Sequence, residues 1–270
     1  MRAALRAALR AALRAALTAA LRAEWIKLRT VRSIALVPAI AVVFGVGVGF
    51  LDVSSIDWTT TDPATLDPVS ESFAGFQFAE LAFAALGVLA ISSEYGTGLI
   101  DTTFLAMPRR GMTYGAKVVV LAAFVLVICV ISAFTAFFLG QAVLSRHHAS
   151  VSLADHGVLR AVVCAAVYMT VVTLVGFAVG ALIRHTAGAM GAMFGLVFLA
   201  WPLARAVEGV STLPSKLLLV NAAQALTTIR PITGPPAARV PSPGQAALIL
   251  LGYVVVFMAA AYWRFTSDRR

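Results

Sequence analysis

The chain has 270 residues, of which 60% are hydrophobic and 12% charged, and its formal net charge is +9. Soluble domains carry about 45–50% apolar residues and about twice this share of charge, so an aqueous core is excluded and lipid is the implied solvent. The basic residues bracket long apolar runs and form no patch interleaved with aromatics, which excludes nucleic acid as the partner behind the positive charge.

The chain opens on a tandem repeat, RAALRAALRAALRAALTAALRAE, built from strong helix formers. A period of four advances each repeat by roughly 40° around a helix, so its leucine and arginine stripes wind together. Two readings stay open for residues 1–22: a basic helix on an anionic leaflet, or a repeat-expanded start that is helical but dispensable. Serine is missing, which argues against a transit peptide, and no small-residue cleavage site follows the first apolar run. Residues 23–32 carry Glu24, Trp25, Lys27, Arg29 and Arg32, an acid-aromatic-basic segment just before the first apolar run.

Six apolar runs follow at 33–51, 74–92, 118–140, 161–183, 187–203 and 246–263. Each approaches or reaches the about 17–25 residues that a spanning helix needs. They lack the alternation of barrel strands, and a spanning backbone must satisfy its own hydrogen bonds, so they are expected to be helices. Residues 33–263 therefore form one six-span membrane domain, with 264–270 as a tail. Fifteen of the 21 Lys and Arg residues lie on the side of both termini, which the positive-inside rule makes cytoplasmic. The first outer loop, DVSSIDWTTTDPATLDPVSES, agrees, having five acids and no base. The last outer loop, about 204–245, is proline-rich and contains LPSKLLLVNAAQAL, an apolar piece able to dip into the interface.

Enzymatic signatures are missing. There is no G-x-x-x-x-G-K-[ST] loop, and GMTYGAKV at 111–118 has the wrong spacing for one. Neither H-E-x-x-H nor G-x-S-x-G occurs. His147, His148 and His156 share an outer loop, but their spacing fits no common zinc pattern, so neither a metal nor a catalytic residue is expected. Cys129 and Cys164 lie in apolar runs and read as small hydrophobes. GFAVG (176–180) and GAMFG (191–195) suit close packing of spans four and five, or of two chains. Glu80 is the one carboxylate placed inside a span, roughly 9–10 Å from its outer end at 1.5 Å per residue. It reads either as part of a substrate path or as a partner to a neighbouring helix.

The segment between spans two and three, SSEYGTGLIDTTFLAMPRR at 92–110, is polar and faces the basic side. Thr97-Gly98 breaks from the preceding span, Thr102 or Thr103 starts a turn, and Pro108 ends it. The segment reads as a short amphipathic helix of a kind suited to docking a cytoplasmic partner, or as a mere connector between spans.

ISSEYGTGLIDTTFLAMPRRGMTYGAK resembles the first cytoplasmic loop of type-2 ABC transporter permeases, the actinobacterial kind in particular. The matching positions are Glu94, Tyr95, Thr97, Gly98, Ile100, Thr102, Thr103, Pro108, Arg109, Arg110 and Lys117. RAEWIKLRTVRS is similar to that family's start, through Glu24, Trp25, Lys27, Arg29 and Arg32. Asp101 stands where the pattern has a basic residue, and Glu80 where glutamine is more usual. The resemblance implies an all-α permease of six spans with an interfacial elbow helix at 23–32. It implies a coupling helix in the 92–117 loop, seated on a separate ATPase subunit that binds ATP and Mg²⁺. A second permease chain, identical or related, and membrane lipid are the other implied partners; this chain would bind no cofactor. The implied setting is the bacterial cytoplasmic membrane, and the implied activity export of a hydrophobic or amphipathic substrate. The rival readings are a secondary transporter or channel working without an ATPase, and a membrane enzyme using the outer histidines.

Overall fold

The computed structural model describes residues 2–30, 32–63, 65–100, 102, 110–208, 211–231 and 235–267, with side chains for all of these except 2–14, 32–35 and 235–236. Helix makes up 82% and no strand occurs among the described residues, so the backbone polar groups are satisfied within helices, as hydrocarbon requires. The helices are α1 (Arg2–Thr30), α2 (Arg32–Ser54), α3 (Pro68–Ser72), α4 (Phe76–Gly96), α5 (Arg110–Leu144), α6 (Val158–Ile183), α7 (Thr186–Phe194), α8 (Ala200–Ala206), α9 (Leu213–Leu217), α10 (Leu219–Thr227) and α11 (Pro243–Ser267). Among the described residues, six stretches are long and apolar enough to cross a membrane: α2, α4, α5, α6, the pair α7–α8, and α11. The chain is built as a multi-pass membrane protein.

Every expected span is present, and most are longer than the apolar runs that announced them. The third differs most, since its helix begins at Arg110 and not at Val118. GMTYGAK looks like loop because it is polar, but Thr113, Tyr114 and Lys117 are buried against other helices. Tertiary partners replace the water those groups would otherwise need. The fifth span is broken by a π-helical segment, Gly195–Leu199, between α7 and α8. The repeat and the elbow segment form one uninterrupted helix from Arg2 to Thr30. The apolar piece LPSKLLLVNAAQAL of the last outer loop folds as α9 and α10, and α10 buries Leu219, Ala222, Ala225 and Leu226.

Spans two and four are the centre of the bundle. Span four is buried over 78% of its apolar window and span two over 56%, against 17–33% for the others. The reason is backbone contact. A Cβ on Gly87 would fall 1.9 Å from the Thr173 carbonyl oxygen, and one on Gly176 would fall 2.3 Å from that of Ala84. GFAVG therefore serves span two, not span five, because Gly176 and Gly180 face Ala84 and Val88. Gly191 and Gly195 of GAMFG meet nothing within 4 Å. Such small-residue contacts let dispersion act over whole helix lengths where lipid removes the hydrophobic drive.

The two ends of the bundle are tied differently. At the α3 end, one carboxylate fastens two loops. Asp67 Oδ1 accepts from the Val69 and Ser70 amides, capping α3, while Oδ2 accepts from the Ile229 and Arg230 amides at 2.7 and 2.8 Å. Gln141 on span three donates to the Pro68 carbonyl and the Ser72 hydroxyl, and accepts from the Val151 amide. At the α1 end the ties are charged and are taken up below.

Gly87→Ala is expected to lower the melting temperature of the detergent-purified protein, because overpacking typically costs ~1–3 kcal/mol. Gly47→Ala, at a glycine with open space around it, should leave the melt unchanged or slightly raised. Equal melts for the two variants would contradict the contact between spans two and four.

Candidate functional site

The clearest concentration of chemistry lies where α1 meets spans two and three. Lys117 sends its Nζ to Glu94 Oε1 at 2.5 Å and to Glu24 Oε1 at 2.8 Å. Lys27 Nζ reaches the same Glu94 oxygen at 2.6 Å. Two cations and two anions balance, so the cluster is formally neutral. Glu94 and Lys117 are almost wholly buried, while Lys27 keeps 27% of its side chain exposed. Glu94 Oε2 is buried and has no hydrogen-bond partner among the described residues. The position of the cluster matters: Glu94 is three residues before the loop opens at Thr97, and Lys117 is two helical turns after span three begins at Arg110. The two roots of the 97–109 loop are thus cross-braced to each other and to α1.

Burial alone pulls the Lys27 ammonium down, but its bond to Glu94 and the charges of Glu94 and Glu24 outweigh this and hold it above the ordinary 10.5. A folded-state value above the unfolded one stabilises fully below about 10.5 and is lost as pH rises through the folded value. Lys27 therefore keeps its charge throughout the neutral range.

Aromatic and cationic contacts widen this end. Arg184 lies over the Tyr95 ring at 5.1 Å and donates to the Arg264 carbonyl at 3.1 Å, joining spans two, four and six. Tyr114 donates to the Met258 carbonyl and packs against Phe177, Tyr262 and Phe265. Trp25 meets Phe124 edge-on, and the Arg29 guanidinium lies over the Trp25 ring at 5.9 Å.

Of the residues singled out from the sequence, Glu24, Lys27, Glu94 and Lys117 are brought together in one cluster. Arg110 is half-buried, Thr97, Gly98 and Thr102 are exposed, and Gly98 has the positive φ of 70° that glycine tolerates. The helical path resumes at Leu99 and Ile100, and Thr102 is helical too. Thr103, Pro108 and Arg109, with Asp101, lie outside the described residues, as does the Arg32 side chain. His147 stacks on Trp58 at 4.3 Å, and the His185 Nδ1 accepts from the Gly188 amide, capping α7.

A second site lies toward the α3 end. A cavity of about 450 Å³ is bounded by spans two, four and five, by α10 and by the residues around α3. Glu80 and Tyr168 line it, and the Tyr168 hydroxyl donates to Glu80 Oε1. Gln77, Asn221 and Gln224 add amides, and Phe73, Phe76, Phe198 and Trp201 supply rings. Tyr168, the amides and the rings were missed from sequence. A signal existed, since Tyr168 is the single tyrosine of the fourth apolar run. Glu80, Gly87 and Glu94 are also one heptad apart, which keeps them within roughly 20° per step on one helix face.

Comparison with protein-family models found no matching family, and comparison with curated proteins found no significant relative. Function must therefore be argued from these two sites.

Lys117→Met is expected to cost about 3–5 kcal/mol, the usual penalty for leaving a buried charge uncompensated. Lys27→Met should cost less, its side chain being partly exposed. Lys117→Met combined with Glu94→Leu should recover part of the loss, because both buried charges are then gone. Equilibrium unfolding of the three variants in detergent checks the order; a double variant worse than the sum of its parts would sink the pairing.

Proposed function

We propose that the chain is the membrane-spanning permease subunit of an ATP-driven transporter, of the type-2 ABC kind that its loop resembles. Its role is export of a hydrophobic or amphipathic substrate across a bacterial cytoplasmic membrane, with both termini on the cytoplasmic side. ATP and Mg²⁺ bind to a separate ATPase subunit. The observation that carries this reading is the Glu94–Lys117 brace across the roots of the 97–109 loop. A loop with free roots absorbs a push by bending. A loop with braced roots passes the push to spans two and three, and to α1 with them.

The push has somewhere to go. Span two runs from Glu94 to Glu80, 14 residues or about 21 Å at 1.5 Å per residue, and Glu80 lines the cavity. Tilting span two against span four then changes that cavity's walls. In this scheme Glu94 and Lys117, being buried, transmit force, while Tyr95, Thr97, Gly98, Thr102, Thr103, Pro108, Arg109 and Arg110 belong to the surface that meets the ATPase. Trp25, exposed beside Arg29, suits the headgroup layer, where tryptophan and arginine anchor. The second permease chain is assigned to the apolar groove among spans one, two and five, lined by Val37, Phe78, Ala82 and Phe194.

A gradient-driven carrier is the second reading, and the buried Glu80 in a cavity is what favours it. Substrate flux driven by a proton or ion gradient in vesicles without ATP would establish that reading over the first.

The test is capture. The tagged chain, co-expressed with the ATPase encoded beside its gene, should bring that ATPase through purification in stoichiometric amount. Arg109→Glu with Arg110→Glu should abolish capture while the permease still purifies intact. A well-folded wild-type chain that captures no ATPase overturns the proposal.

A further inference from the structure

We infer that the cavity between spans two, four and five is a binding site for an amphipathic organic cation, one positive charge on an apolar body. The claim about cargo rests on the transporter reading above, but binding itself does not require an ATPase.

The sign of the ligand comes from the lining. Glu80 is the carboxylate of the cavity, and no Lys, Arg or His is among its lining within the described residues. Glu80 is 4% exposed, and its one hydrogen bond among the described residues, from Tyr168, reaches Oε1. A buried carboxylate served by a single donor has poorly compensated desolvation. A cationic ligand supplies the missing partner, a neutral one leaves it missing, and an anion adds repulsion.

The body of the ligand comes from the walls. Phe73, Phe76, Phe198 and Trp201 give ring surface beside the acid, the arrangement that holds organic cations through both their charge and their apolar skin. Trp201 is already used in this way, since the Arg205 guanidinium lies over its ring at 4.9 Å. A volume of about 450 Å³ falls within the roughly 300–1,000 Å³ of small-molecule sites. An inorganic divalent cation is a poorer fit: carboxylates supply much of the roughly six or more oxygen ligands that hard cations take, and this lining, for all its amides and hydroxyls, holds one carboxylate, with no cluster of three metal-ligating side chains among the described residues.

The experiment uses two ions of the same shape and opposite sign, tetraphenylphosphonium and tetraphenylborate, on the full chain purified in detergent. Radiolabelled phosphonium should bind saturably, with borate weaker by about tenfold or more, the scale of a desolvated cation–π and ion-pair contact. Glu80→Gln keeps the side chain's shape and removes its charge; it should weaken phosphonium by about tenfold and erase the discrimination. Trp201→Leu should weaken phosphonium and leave the preference for positive charge. Should Glu80→Gln fail to fold, the wild-type comparison of the two ions decides alone. Equal binding of both ions, no saturable binding, or an unchanged Glu80→Gln variant overturns the inference. ATPase capture is measured separately. Capture without cation selectivity defeats this inference and spares the transporter reading; selectivity without capture does the reverse.

Discussion

Everything in this molecule hangs on the place where spans two and four touch backbone to backbone. The Thr173 carbonyl occupies the position that a Gly87 side chain would need, and the Ala84 carbonyl the position that Gly176 would need. Lipid offers apolar side chains no reason to leave it, so helices associate where they approach closely enough for dispersion to act over many atoms. The two glycine contacts make that approach, and the remaining spans pack around the pair they create.

Span two then carries the chemistry of both ends. Glu94 sits at one end in a four-residue charge cluster. Glu80 lines a mixed polar and aromatic cavity toward the other. Gly87 lies midway on the same face, at the contact with span four. A stiff helix with a contact point at its middle is a lever. In the proposed transporter, displacement at the loop root and displacement at the cavity are two readings of one rigid-body motion.

The charge cluster adds specificity more than stability. Burying two ammonium and two carboxylate groups costs desolvation that their mutual attraction does little more than offset. Apolar residues of similar volume would pack the same junction as well. What the charges supply is a single register, since Lys117 satisfies Glu24 and Glu94 together only when α1, span two and span three meet in one arrangement. The same logic applies at the α3 end, where Asp67 uses both oxygens on the amides of two separate loops.

The sequence alone determined the solvent, the helix type and the number of spans. These follow from local quantities, namely run length, hydropathy and the intrahelical hydrogen bonding that hydrocarbon demands. It also pointed to Glu24, Lys27, Glu94 and Lys117 as residues of interest, by resemblance, and to Glu80 by its isolation among apolar neighbours. Only the tertiary structure decided that the first four form one cluster, that GMTYGAK belongs to span three, and that Gly176 serves span two. Tyr168, Asn221 and Trp201 reached Glu80's cavity by the same route. Each of these depends on which faces of distant helices meet. Lipid makes nearly every apolar face equivalent at the level of composition, so the choice among them is made by a few close backbone contacts that no single segment contains.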